Sequence, residues 1–345
     1  MSPLMLLIMV LTLGVGTTMT MMSSHWLLAW MGLEINTLAI IPLMIKQHHP
    51  RAVEASTKYF LIQAAAAATL LFASTMNAWL TGVWDISQMT HPLPLILTTM
   101  ALSLKMGLAP MHSWLPDIMQ GIDLSIALVL ATWQKLAPFS LLFQINNSTL
   151  MILLGLTSVI LGGWGGLNQT QLRKVMAYSS IAHLGWMMMV MHLLPPLSWL
   201  TLLIYIILTF SLFNTFMLNK TTNLNSLSTS WMKAPALTAL TPLVLLSLGG
   251  LPPFTGFLSK WMILQELTKQ GLSVTATMAA LSALLSLYFY LRLSYSMTLT
   301  IAPNTSASTL SWRFQGTNIS SPAASSISMA LLLLPLLPLM MTFTF

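Results

Sequence analysis

The chain reads as an all-α polytopic membrane protein, and three observations predict that class. Hydrophobic residues fill 56% of its 345 positions and charged residues only 6%, where a soluble globular protein carries about a quarter charged residues. Mean hydropathy is +0.81, and the apolar residues fall into windows of about 20, the length of a membrane-crossing helix. Two of the windows also combine a lysine with a cluster of helix breakers, a pairing that lipid tolerates only around protein or a cavity.

Eleven spans follow in order, at 3–22, 25–45, 57–80, 93–119, 123–146, 149–168, 174–194, 197–219, 235–266, 274–299 and 324–345. The first has no basic segment before it and no clean cleavage site, so it reads as a retained span rather than a leader. The fourth contains LKMGLAPMHSWLPD from Leu104 to Asp117, with Lys105 beside Gly107, Pro110 and Pro116. The ninth contains SLGGLPPFTGFLSKW from Ser247 to Trp261, with Lys260 following Gly249, Gly250, Pro252, Pro253 and Gly256. A lysine near the bilayer centre costs about 2.5–3.5 kcal/mol on insertion scales. The breakers free backbone groups that lipid cannot satisfy, so both segments are expected to line a cavity or pack inside protein. Connections are short except Lys220–Ala234 and Ile301–Ala323, both rich in Ser, Thr and Asn.

Broken spans separated by an odd number of crossings run in opposite directions. Residues 1–146 and 149–299 therefore read as two inverted five-helix repeats, each with a discontinuous helix. Residues 324–345 are then an extra C-terminal transmembrane helix. Threading the spans places Lys46, Arg51, Lys58, Arg173, Lys174, Lys220, Lys233, Arg292 and Arg313 towards one side, and only Lys269, beside Glu266, on the other. Such an asymmetry marks the inner side and puts the N-terminus there, with Phe345 opposite. Trp79, Trp84, Trp164, Trp199 and Trp231 fall near span ends, where interfacial tryptophans belong. The net charge of +7 forms no basic stripe. It is a topology signal, and no nucleic-acid partner is expected.

Several chemistries are excluded. There is no cysteine, so no disulfide, thiolate ligand or cysteine-held iron–sulfur cluster is possible on this chain. Nucleotide loops and histidine pairs at metal or haem spacing are absent from the sequence. His48–His49 beside Pro50 reads as a solvated turn. The sequons at Asn168, Asn304 and Asn318 read as chance matches.

The intramembrane polar residues carry the functional signal. Glu34 lies mid-span in LLAWMGLEINTLAII, and its natural partner is Lys105. A nearby anion favours the charged lysine while desolvation opposes it, a balance suited to passing protons rather than keeping them. Lys135 in ATWQKLAPF is too deep to snorkel easily, with Pro138 close behind. His112 lies seven residues from Lys105, across Pro110. His183 in AYSSIAHLGW sits mid-span, and histidine loads and unloads protons in the cellular pH range. Taken singly, either histidine reads equally well as a hydrogen-bonded core residue. Glu34, Lys105, Lys135, His183 and Lys260 together read as a proton relay at mid-membrane depth.

At these residues the sequence resembles the antiporter-like membrane subunits of respiratory complex I, over essentially its whole length. The likeness rests on the broken-span motifs around Lys105 and Lys260, the AYSSIAHLG run at 177–185, and the eleven-span length of animal forms. The 28 methionines fit both flexible core filling and a mitochondrial code in which isoleucine codons are reassigned. The resemblance implies the inverted-repeat fold and a place in the mitochondrial inner membrane, N-terminus in the matrix and C-terminus in the intermembrane space. It implies Glu34 and Lys105 as a coupling pair, Lys135 as the connecting lysine and Lys260 as the exit-side lysine. NADH, FMN, iron–sulfur clusters and ubiquinone would belong to other subunits, and the partners would be neighbouring membrane-arm subunits and lipid. Span ten has no mid-depth lysine matching Lys135, so the repeats are not equivalent. Two other classes compete. A stand-alone cation/proton antiporter would need more mid-depth carboxylate than Glu34 alone, and a purely structural subunit would tolerate neutral residues at 105 and 260.

Overall fold

The computed structural model describes residues 3–46, 48–145, 147–232, 234–299 and 321–336. Regular structure among them is helical throughout, with two isolated antiparallel bridges, His25 to Asp85 and Gln171 to Asn223. In chain order the helices are α1 (Pro3–Met22), α2 (Trp26–Met44), α3 (Pro50–Thr81), α4 (Pro92–Met106), α5 (Trp114–Gly121), α6 (Leu124–Ala131), α7 (Trp133–Gln144) and α8 (Ser148–Gly166). There follow α9 (Leu172–Val190), α10 (Pro195–Asn219), α11 (Leu224–Ser228), α12 (Pro235–Gly249), α13 (Thr255–Lys269), α14 (Ser273–Thr298) and α15 (Ser321–Leu332). Among the described residues, seven segments are long and apolar enough to cross a bilayer: α1, α2, α3, α6–α7, α8, α10 and α14. The shorter α4, α12 and α15 are apolar as well. This is an all-α polytopic membrane protein.

The chain divides within α8 into two compact units, Met1–Thr157 and Ser158–Phe345. In the first, α2 packs on α1 and α3, α3 on α4 and α5, and α7 against α1, α2 and α4. In the second, α9 is buried along almost its whole length; α10, α13 and α14 pack on it, and α12 packs on α10, α13 and α14. Arg292 of α14 donates from Nη1 to the Leu167 carbonyl at 2.7 Å, which satisfies one of the carbonyls orphaned at the end of α8.

Three boundaries differ from the sequence expectation, each for a local reason. The third helix begins at Pro50 rather than near 57, because His49 caps it by accepting from Arg51 N and proline suits the first helical turn. The Glu54–Lys58 pair, at 2.6 Å, continues it as an i,i+4 contact beyond the apolar stretch. The fifth span is interrupted at Thr132, whose φ and ψ are −114° and −68°. Pro138 lies just beyond, and its ring opposes the Gln134 carbonyl. The connection 220–234 carries the short α11 and a 3₁₀ turn at Thr229–Met232. Lys233, Arg313, Asn304, Asn318 and the last span beyond residue 336 lie outside the described residues.

Candidate functional site

Helices α4 and α12 stop in the same way. Gly107 (φ +78°) and Gly250 (φ +82°) are left-handed. Gly107 N donates to Leu104 O and Leu108 N to Ser103 O; Gly250 N donates to Ser247 O and Leu251 N to Leu246 O. Both are Schellman caps, which close a helix and leave carbonyls of its last turn facing away from the ladder. A β-carbon at Gly250 would lie 2.9 Å from Lys260 Cδ, and one at Gly107 would lie 2.8 Å from Leu115 Cδ1. The glycines thus supply the turn and also the room for the second half-helix. Gly107, Leu108 and Ala109 are buried, whereas Pro252 and Pro253 are exposed on this chain.

In the first unit the break borders a small cavity with both apolar and polar walls. Its volume is about 20 Å³, and its walls include Asn36, Tyr59, Gln63, Lys105, Gln134 and Lys135. One water needs roughly 10–15 Å³ by this measure. Lys105 is 7% exposed, and its Nζ has no hydrogen-bond partner among the described residues. Lys135 is 4% exposed and starts the turn after the Thr132 interruption, its N–H donating to Thr132 O at 3.3 Å. The missed kink therefore sets the direction of this lysine. Glu34 is half-buried and accepts from Thr37 Oγ1 at 3.2 Å. Among the described residues its carboxylate makes no direct ion pair with Lys105, although it is close enough to act on it through space. His112 lies in the break, half-buried, with Nδ1 3.3 Å from Pro110 O.

The second unit holds its own arrangement. Lys260 is 9% exposed and donates from Nζ to Gly249 O at 2.8 Å and to Leu248 O at 3.4 Å. Its ammonium therefore sits on the carbonyl end of α12, where the helix dipole favours a cation. A second cavity of about 20 Å³ is lined by His183, Thr201, Tyr205, Ser259 and Lys260 among others. His183 Nε2 is 3.5 Å from Tyr290 Oη, and its ring lies 5.5 Å from that of Tyr205.

Glu34, Lys105 and Lys135 thus cluster in one unit, and His183 and Lys260 in the other. The sequence reading missed Tyr59, Gln63, the Gln134–Asn36 amide pair at 3.2 Å, Tyr205 and Tyr290. Gln63 and Tyr205 stand in apolar runs, whereas Asn36, Tyr59, Gln134 and Tyr290 lie within two residues of Glu34, Lys58, Lys135 and Arg292 and were overlooked beside those charges. Among the described residues no group of three or more His, Cys, Asp or Glu side chains could hold a metal ion.

Comparison with known proteins gives a consistent result. Residues 23–286 match the model of the family described as NADH:quinone oxidoreductase/Mrp antiporter, TM. Residues 287–341 match the NADH dehydrogenase subunit 2 C-terminus. The chain is 64% identical to NADH-ubiquinone oxidoreductase chain 2 of Tetraodon nigroviridis, over 99% of each chain. Against that of Gadus morhua it is 63% identical over 98% of each. Among solved structures, a chain of respiratory complex I from Thermus thermophilus superposes with TM-score 0.83 and 27% identity, covering 97% of this chain and 79% of that one. A chain of the Mrp complex from Dietzia shares the fold at TM-score 0.82 and 17% identity, covering 97% and 76%.

Proposed function

The chain belongs to the family of membrane subunits shared by NADH:quinone oxidoreductases and Mrp antiporters, and we propose that it is a proton-translocating core subunit of the membrane arm of NADH:ubiquinone oxidoreductase in the mitochondrial inner membrane. It would contribute to that enzyme without a redox centre of its own. NADH, FMN, iron–sulfur clusters and ubiquinone would be handled by other subunits, and the driving force would arrive through contacts with neighbouring membrane-arm subunits.

The observation that carries the reading is Lys105. A buried ammonium with no partner, beside a half-helix end and a cavity sized for water, is an expensive group to keep unless it exchanges its proton. In this reading Glu34 biases Lys105 through space, Lys135 receives the proton across the amide-lined cavity, and His183 and Lys260 serve the second half, with His112 flanking the first break. Eleven spans, arranged as inverted repeats over 1–146 and 149–299 with an added C-terminal helix, suit this use. The matched caps at Gly107 and Gly250 support that arrangement. Protons leaving Lys260 would compete with the α12 carbonyls, which favour its charged form.

The test replaces Lys105 or Lys260 with Met in the assembled enzyme and reads protons moved per electron. Each variant is expected to assemble and to pump less. Full pumping by both variants would favour the structural alternative.

A further inference from the structure

We infer that the cleft between α3 and α5, containing Glu54 and Asp117, is the mouth through which protons reach Lys105 from the face on which α3 begins. This rests on the relay reading of Lys105.

The cleft is open, polar and about 280 Å³ in volume, with Arg51, Glu54 and Lys58 on α3 and Asp117 and Gln120 on α5. The same two helices wall the small cavity one step further in, where α3 contributes Tyr59 and Gln63 and α5 contributes Trp114 and Leu115. Ala55 lines the cleft and Tyr59, four residues on, lines the cavity, and Asp117 follows Trp114 by three residues, so each pair shares a helix face. An outer polar cleft and an inner cavity therefore lie along one helix–helix seam. Tyr59 and Trp114, on the cavity wall at this seam, have rings 6.1 Å apart and tilted by 60°. Trp114 is fixed by its Nε1 donating to Leu104 O at 3.1 Å, one residue from Lys105. Small rotations of Tyr59 would open or close the passage without disturbing α4.

A second, independent observation concerns Asp117. The runs GLAPMHSWLPD (107–117) and GLPPFTGFLSK (250–260) align without a gap, each from its left-handed capping glycine. Asp117 thus holds in the first broken helix the place that Lys260 holds in the second. In the second unit that place carries a buried amine on the cavity wall. In the first it carries an exposed carboxylate in the open cleft. The same backbone position is spent inward in one unit and outward in the other, as suits a half that takes protons up rather than one that releases them. The Glu54–Lys58 pair is 62% and 49% exposed, and exposed pairs contribute little to stability. The carboxylates are thus removable without unfolding the chain.

The test uses the assembled enzyme. The double variant Glu54→Gln, Asp117→Asn should slow proton uptake at least severalfold, with Asp117→Glu close to the parent rate, while Lys105→Met abolishes this subunit's pumping. If Lys105→Met stops pumping but the double variant takes up protons at the parent rate, the mouth is elsewhere and the relay reading stands. If Lys105→Met pumps fully, the relay reading falls and the mouth with it. Should the double variant fail to assemble, the chain's lack of cysteine gives a second measurement. Gln120→Cys, on the wall of the open cleft, should react with a small membrane-impermeant thiol reagent applied from the face on which α3 begins and should slow proton uptake once modified; full uptake after modification overturns the inference. Reaction from the opposite face alone overturns the inference.

Discussion

Glu34 and Lys105 show what a sequence conveys at the scale of single residues. Their pairing was expected from depth alone, and both do lie in the first unit, but the carboxylate is held by Thr37 and Lys105 Nζ is unpartnered. What remains is attraction through space rather than a direct contact. Replacing Glu34 with Gln removes that attraction and should slow coupled turnover by about tenfold, the effect of ~1.4 kcal/mol on a barrier. Asp at 34 keeps the charge but gives up the contact with Thr37, so it should do less harm than Gln. Leu38 is 54% exposed, so a carboxylate moved there faces outward, whereas Asn36 lines the cavity. Rescue of the Gln variant is therefore expected from Asn36→Asp, and stoichiometry with turnover checks all three. Equal harm from Gln and Asp would mean that geometry, not charge, matters at 34. Charges were legible because each is anomalous in lipid. Tyr59, Tyr205 and Tyr290 were not, because a tyrosine is ordinary in a membrane helix until its neighbours are known.

At the scale of elements, the two deliberate breaks were legible and the third was not. Gly107–Pro110 and Gly249–Pro253 stack several breakers together, and no helix continues through such a run. The interruption at Thr132 has no glycine, and Pro138 lies six residues on, so periodicity carried the fifth span through it. The start of α3 was misplaced because hydropathy ends where the lipid ends, while the helix continues to its His49 cap. Gly250 allows the role of a break to be tested. Alanine there would carry a left-handed conformation costing about 1–2 kcal/mol, and its β-carbon would press on the Lys260 stem. Gly250→Ala should lower the melting temperature of the purified complex and reduce pumping, because Lys260 loses its seat on the α12 carbonyls. Gly271, also at positive φ (+75°) but with open space around it, is the control. There alanine carries the conformational cost alone and should leave pumping intact. Matching losses at 250 and 271 would reduce the break to a matter of stability.

For the whole molecule, the decisive quantity is where the charges lie along the thread rather than what they touch. Basic residues near span ends favour the inner side irrespective of tertiary contacts, because the asymmetry is read as the chain inserts. Nine of them, against Lys269 alone, should hold the N-terminus and the 220–234 connection in the matrix. Reversing the thread would move all nine to the positively charged side of the potential, about 2.3 kcal/mol per charge per 100 mV. Two exposed positions make the orientation measurable, Asn225 on α11 and Gln270 just beyond α13. Neither lies on a cavity wall, and the chain has no cysteine to confuse the reading. In sealed mitoplasts Gln270→Cys should react with an impermeant thiol reagent and Asn225→Cys should not. In inside-out inner-membrane vesicles the order should invert. Labelling of Asn225→Cys in mitoplasts would overturn the threading, and it would move the Glu54–Asp117 cleft to the face from which protons are expelled.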